Sequence, residues 1–90
     1  MQIEYGGKVI QVDPWSAGDL SQAKPADIIL ISDDPVHHLD VKAIRQLQKP
    51  GGTVIVPAAS QAKFPEGTAM ANGETKTVAG ITIRRDFYIG

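Results

Sequence analysis

A run of consecutive apolar residues, Ile28 to Ile31, ends abruptly in a segment with two carboxylates, a proline and both histidines of the protein. An uninterrupted apolar run bounded by polar residues is typical of a strand that is buried on both faces of a sheet. A second such run occupies residues 53–56. Open α/β sheets bind ligands beyond the carboxyl ends of their strands. The pattern therefore predicts that any chemistry lies just after residue 31.

Between these two runs the apolar residues follow the helical period. Asp34-Pro35 favours a helix start, because Asp is a good N-cap and proline is favoured at the first helical position. A helix over residues 35–48, or two nearly continuous pieces, would place five apolar side chains on one face. These side chains are Val36, Leu39, Ala43, Ile44 and Leu47. The segment 49–52, Lys-Pro-Gly-Gly, is expected to end the helix.

The order strand, helix, strand over residues 28–56 predicts a βαβ unit with parallel strands. Before it, residues 3–5 and 8–12 have the pattern of two strands on either side of Gly6-Gly7. This predicts a hairpin, because paired glycines supply the positive φ angles of a two-residue turn. Residues 16–25 are small and polar, and are expected to form a loop or one weak helical turn.

The last third of the chain has the pattern of a meander. Residues 58–63 predict a short helix, Asn72-Gly73 predicts a turn, and Ala79-Gly80 predicts another. Short strands are expected on either side of the first turn. Residues 81–89 read as one long strand, although Arg85 interrupts its apolar face, which consists of Ile81, Ile83, Phe87 and Ile89.

Composition narrows the class of protein. Ninety residues fit one domain, and the formal net charge of −1 leaves no basic stripe for nucleic acid and no polybasic patch for a membrane. Cysteine is absent, which excludes disulfides and thiolate metal ligands. No apolar run reaches membrane-spanning length and the N-terminus lacks a signal-peptide pattern. These features favour a cytoplasmic location.

Three stretches together resemble the metallo-β-lactamase fold hydrolases, and in particular their small metal-dependent hydrolase branch. They are residues 13–16 (Asp-Pro-Trp-Ser), residues 26–32 (Ala-Asp-Ile-Ile-Leu-Ile-Ser) and residues 38–40 (His-Leu-Asp). The resemblance extends to about Ile83 and covers the N-terminal half of the family's domain. It implies an α/β fold, a mixed β-sheet with helices on one face that corresponds to half of an αββα sandwich. It also implies a second helix start, since the family's helix begins at positions that fall on Asp40 and Val41.

The family's metal motif, His-x-His-x-Asp-His, is rewritten in this chain. Its four ligand positions fall on Asp33, Pro35, His37 and His38, of which only His38 matches. The motif works because imidazoles and a carboxylate converge on a divalent metal that activates a water. Asp33, His37 and His38 are therefore the candidate metal ligands. The competing interpretation is that Asp34-Pro35 caps a helix whose first turn exposes both histidines.

Asp13 matches the family's first motif, an acidic residue at a strand end that helps to order the metal-binding loop. The alternative is a simple turn at Asp13-Pro14 that ends the strand. Trp15 would be an apolar anchor for the following loop. Gly6-Gly7 lacks the spacing of a phosphate-binding loop. The Arg84–Tyr88 segment is expected to be a solvated strand surface, with a small binding module as a third, weaker hypothesis.

The sequence thus predicts a single αβ half-domain over residues 1–90, engineered or excised, without catalytic residues or a resident cofactor. The enzymatic alternative is a weak hydrolase that binds zinc or another divalent metal through Asp33, His37 and His38, with the site shared between chains. One helix and two short ones would cover only one face of the sheet. An uncovered apolar face would favour a homodimer through that face, so a second copy is the expected partner.

Overall fold

The computed structural model describes residues 2–14, 23–32, 40–71, 73–84 and 88–89. A five-stranded mixed sheet has the order β1-β2-β3-β4-β5. Its strands are β1 (Gln2–Tyr5), β2 (Lys8–Val12), β3 (Ala26–Leu30), β4 (Gln48–Pro57) and β5 (Thr68–Met70). The first two strands are antiparallel and the remaining neighbours are parallel. Helix α1 (Val41–Leu47) links β3 to β4, and a 3-10 helix (Ala58–Lys63) links β4 to β5.

The N-terminal hairpin is confirmed. Tyr5 pairs with Lys8, and the turn between them has φ angles of 59° at Gly6 and 77° at Gly7. Both values lie in the left-handed region, which glycine adopts without the steric cost that a side chain would add.

The prediction of one continuous helix over residues 35–48 is wrong. Its other form, two nearly continuous pieces, is not tested, because residues 33–39 lie outside the described residues. Asp40 is extended, with φ −104° and ψ 97°, and its side chain accepts a hydrogen bond from the Ala43 backbone N–H at 3.0 Å. Asp40 is therefore the N-cap, and the helix begins at Val41, the start that the family resemblance implies. Asp34-Pro35 lies outside the described residues.

Helix α1 and the 3-10 segment pack on one face of the main sheet, as predicted. The buried apolar cluster between them combines strand residues with residues of α1 and Phe64, which follows the 3-10 helix. Its buried members are Ala26, Ile29, Ile31, Ile44, Leu47, Val54, Val56 and Phe64. Arg45 contacts this layer from the solvent side. Its guanidinium lies 5.3 Å from the centre of the Phe64 ring and pairs with Glu66 at 2.9 Å.

The opposite face of the main sheet is covered by a second, three-stranded antiparallel sheet. This sheet consists of β6 (Thr75–Val78), β7 (Ile81–Arg84) and β8 (Tyr88–Ile89). Its residues Ile81 and Ile83 join a buried cluster with residues of β2, β3, β4 and β5. The strand members are Ile10, Val12, Ile28, Leu30, Ile55 and Met70. The sequence analysis predicts one mixed sheet, whereas the described strands form two sheets, one of five strands and one of three.

The predicted long strand over residues 81–89 is wrong. Strand β7 ends at Arg84, and β8 runs antiparallel to it with Ile83 opposite Ile89. Continued alternation from Ile81 and Ile83 would direct Arg85 into the apolar layer, where an unpaired charge is costly. The chain instead reverses direction between the two strands.

Strand β4 is longer than the predicted 53–56. Ala26 pairs with Gln48 and Ile28 pairs with Thr53, so a single residue of β3 lies opposite the four residues 49–52. The Pro-Gly-Gly sequence at residues 50–52 therefore lies inside β4, where it interrupts the regular pairing with β3. Gly52 is required there, because a Cβ would lie 2.9 Å from the Ala26 carbonyl oxygen.

Candidate functional site

The carboxyl ends of β2 and β3 meet at one edge of the sheet. The strands are parallel with Val12 opposite Leu30, so Asp13 after β2 lies beside the two residues that follow β3, Ile31 and Ser32. This is the edge where open α/β sheets bind ligands. The segment 33–39, which carries the candidate metal ligands, follows Ser32 directly in the sequence.

Asp13 binds the chain where it leaves β3. One carboxylate oxygen of Asp13 accepts a hydrogen bond from the Ser32 backbone N–H at 2.8 Å, and the other accepts from the Ser32 hydroxyl. The Asp13 backbone N–H donates to the Leu30 carbonyl oxygen at 2.9 Å. Asp13 has a φ angle of 48°, a left-handed conformation that Asp tolerates better than most residues.

This arrangement holds Ser32, the last described residue before the 33–39 segment, at a fixed place. Two hydrogen bonds to a half-buried carboxylate fix both the position and the hydroxyl orientation of Ser32. The side chain of Asp13 thus reaches from the end of β2 to the residues that follow β3. The loop-ordering role that the resemblance implies for Asp13 stays a prediction, because the loop itself lies outside the described residues.

Three of the four candidate residues, Asp33, His37 and His38, lie outside the described residues, as does Trp15. Only Asp13 can be placed, at the end of β2. Within the part of the chain that the structure describes, no three His, Cys, Asp or Glu side chains come together as a metal site. One of the family's ligand positions is occupied by Pro35, whose side chain has no atom that could bind a metal. The residues at those positions therefore do not match the binuclear motif of the family.

Sequence reasoning missed the role of Ser32. Ser32 lacks the strand-turn-helix context of a nucleophile, and in the structure it donates two hydrogen bonds to Asp13. The usable signal was its place directly before the rewritten motif, opposite an acidic residue at the end of a neighbouring parallel strand. A hydroxyl there would satisfy the second oxygen of that carboxylate.

A second carboxylate, Asp27, lies at the opposite end of the same strands. It accepts a hydrogen bond from the Val9 backbone N–H at 2.8 Å and lies 3.3 Å from the Lys49 ammonium. The Val9 hydrogen bond, assisted by Lys49, lowers the pKa of Asp27 from its ordinary value, although partial desolvation opposes this shift. Both strand partners already satisfy this group, so it anchors the sheet and offers no reactive site.

No helix in the described parts of the chain is long and apolar enough to cross a membrane. Comparison with curated proteins gives no match. The sequence model of the beta-lactamase superfamily domain matches residues 1–86. A solved structure from Parabacteroides distasonis ATCC 8503, assigned as a metal-dependent hydrolase, is 36% identical and superposes with a TM-score of 0.81.

The match to that structure extends over 92% of this chain but only 39% of the relative's chain. The chain therefore spans less than half of the length of the protein it resembles. The family match over residues 1–86 and the superposition agree with the resemblance inferred from sequence. The chain belongs to the beta-lactamase superfamily and has the fold of an N-terminal part of the metallo-β-lactamase domain.

Proposed function

We propose that this chain is a self-associating half-domain of a metallo-β-lactamase fold hydrolase, and that it has no catalytic turnover of its own. The observation that carries the proposal is the combination of a retained loop anchor with a rewritten motif. Asp13 still holds Ser32 at the edge of the sheet, but the following segment has Pro35 at a ligand position. The scaffold of the site is present, whereas its donor set is not that of the family.

Too few donors are available for a tightly held binuclear centre. Asp33, His37 and His38 supply at most three ligands from one chain, and His37 and His38 are adjacent in sequence. Catalytic zinc sites use three protein ligands and keep one position open for water. A two-metal centre needs more donors than this, so we expect no stable cofactor and no step that depends on one.

Self-association is supported by the outer edge of β1, which among the described residues pairs only with β2. An edge strand of this kind offers backbone groups to a second chain. The original reason for expecting a dimer, an open apolar face, is not met, because β6 and β7 cover that face within one chain. A homodimer through a different surface stays a prediction.

Metal content and turnover test the proposal together. The purified chain is dialysed against chelator, then against metal-free buffer, and analysed for zinc, iron and manganese. Hydrolysis of lactam and phosphoester model substrates is then measured with and without added metal. We expect well under one metal ion per chain and no rate above a metal-free control. One or more ions retained per chain, or a metal-dependent rate, would overturn the proposal.

The alternative is a weak metal-dependent hydrolase that uses Asp33, His37 and His38, with the site shared between two chains. The observation that favours it is that Asp13 holds Ser32, the residue directly before this segment, through two hydrogen bonds. This alternative predicts that any metal-dependent hydrolysis disappears in the His37→Ala and His38→Ala variants. Thr77→Ala, an exposed change on β6, is the matched control and should leave the rate unchanged.

A further inference from the structure

The outer edge of β1 is one of the two edges of the main sheet. Among the described residues, β1 pairs only with β2. The edge of a sheet presents a row of backbone donors and acceptors that readily pair with another strand. Tyr5, at the end of β1, is 45% exposed and is the exposed large hydrophobic residue of the described part of the chain.

The register of the hairpin shows which backbone groups point outward. Val9 donates its backbone N–H to Asp27 on β3, so this group points away from β1. Glu4 lies opposite Val9, and the two therefore form a pair without mutual hydrogen bonds. In such a pair the backbone groups of both residues point away from each other. Glu4, and Gln2 two residues before it, consequently direct their N–H and C=O groups to the open side.

The other edge of the sheet is less suited to pairing. Strand β5 has only three residues. Just beyond it, the Ala71 backbone N–H is already bonded to the Glu74 side chain, and the Glu74 N–H to the Ala71 carbonyl oxygen. Short edge strands that run into such a closed turn are a common protection against pairing. The β1 edge is longer and has no comparable closure in the described residues.

We propose that β1 pairs antiparallel with β1 of a second copy, about a two-fold axis between the two Ile3 residues. This inference rests on the proposed self-association and identifies its surface. In this register Gln2 and the second copy's Glu4 exchange both backbone hydrogen bonds, and the symmetric pair does the same. The two five-stranded sheets become one continuous sheet.

The side chains are compatible with this register. Ile3 is half-buried and packs against the apolar cluster under β6 and β7, so the two Ile3 side chains meet on that face. On the other face each Glu4 carboxylate lies opposite a neutral Gln2 amide and not opposite another carboxylate. Like charges directly opposite would oppose the pairing. Lys24, which pairs with Glu4 at 2.7 Å, further offsets the acidic charge at this edge.

A single cysteine tests the register, because the chain has no cysteine of its own. The two Ile3 residues form a pair without mutual hydrogen bonds, whose Cα atoms lie about 4.5 Å apart. That separation is within the range that a disulfide spans. Under mild oxidation we expect Ile3→Cys to form a covalent dimer. Thr77→Cys, which is exposed on β6, should stay largely monomeric on a denaturing gel.

A proline tests the edge itself. Glu4→Pro removes a backbone N–H that points outward and leaves the β1–β2 hydrogen bonds intact, which is where edge strands tolerate proline. Glu4→Ala removes the same carboxylate but keeps the N–H, and is the matched control. Two interchain hydrogen bonds are lost in the proline variant, so we expect its dimer dissociation constant to rise by about tenfold or more over that of Glu4→Ala.

Sedimentation at micromolar concentrations separates the outcomes. A wild-type chain that stays at its monomer mass of 9.6 kDa overturns both the self-association and this surface. A wild-type dimer that persists in Glu4→Pro, with no cross-link in Ile3→Cys, overturns the β1 pairing and leaves self-association through another surface. If circular dichroism shows that Glu4→Pro is unfolded, the comparison of Ile3→Cys with Thr77→Cys decides alone. Absence of a cross-link in Ile3→Cys then overturns the β1 pairing.

Discussion

At the scale of single residues, two carboxylates hold the main sheet at its two ends. Asp13 holds the chain as it leaves β3, and Asp27 connects β2 with the irregular start of β4 through Val9 and Lys49. Asp27 lies opposite the excursion at 49–52, where regular strand pairing is interrupted. Its hydrogen bonds replace ladder contacts that the irregularity removes.

Asp27 should make stability depend on pH. Its pKa in the folded chain is lowered by the Val9 hydrogen bond and by Lys49, so its contribution is fully present above the unfolded value of about 3.9. That contribution is lost as the pH falls through the lower, folded value. Asp27→Asn should therefore be less stable than wild type at pH 7, and the difference should shrink toward pH 2. Urea unfolding at several pH values measures it.

The Lys49→Met variant is the matched control for this prediction. It removes the ammonium but keeps the Val9 hydrogen bond, which is the larger cause of the lowered pKa of Asp27. It should retain most of the pH dependence. A difference between wild type and Asp27→Asn that does not change with pH would contradict the assignment.

At the scale of elements, the start of α1 is fixed by one side chain. Asp40 caps the Ala43 N–H, and the helix that follows is only seven residues long. Such a short helix depends on its cap and on its packing. Asp40→Ala should lower the free energy of unfolding by about 1 kcal/mol. Asp40→Asn keeps a good cap and should cost less. Equal losses in the two variants, measured by denaturant unfolding, would rule out the cap.

Hydrophobic pattern predicted most elements but not their exact bounds. The apolar runs at 28–31 and 53–56 are short and bounded by polar or turn residues, which favours buried strands. Gly6-Gly7 supplies the positive φ angles of a tight turn. The helix start was ambiguous, because Asp34-Pro35 and Asp40 both have the chemistry of a cap. The strand after Arg84 was misread because alternation has the same period whether or not the chain reverses. Of the candidate site, the structure describes only Asp13, which the family resemblance had singled out. Its contact with Ser32 could not be predicted from periodicity, because that contact depends on which strands lie side by side.

At the scale of the whole molecule, the two faces of the main sheet are covered by different means within one chain. Helix α1 and Phe64 cover one face, and the β6–β7 hairpin covers the other through Ile81 and Ile83. The sequence suggested too little helix to cover both faces, and that estimate omitted a second sheet as a cover. Within the described residues, both apolar faces of the main sheet are therefore covered by the same chain.

If the β6–β7 hairpin belongs to the core, substitutions of its inward-facing residues should lower the free energy of unfolding more than substitutions of its outward-facing residues. Ile83 is 2% exposed and packs in the cluster with Ile10 and Ile28. Ile83→Ala should lower the free energy of unfolding by about 2–4 kcal/mol, through lost burial and the cavity that remains. Thr77→Ala, on the exposed side of the same hairpin, should change it by less than about 0.5 kcal/mol. Both are measured by denaturant unfolding in the Glu4→Pro background, so that association does not contribute. Similar small effects in the two variants would mean that the hairpin does not cover the sheet.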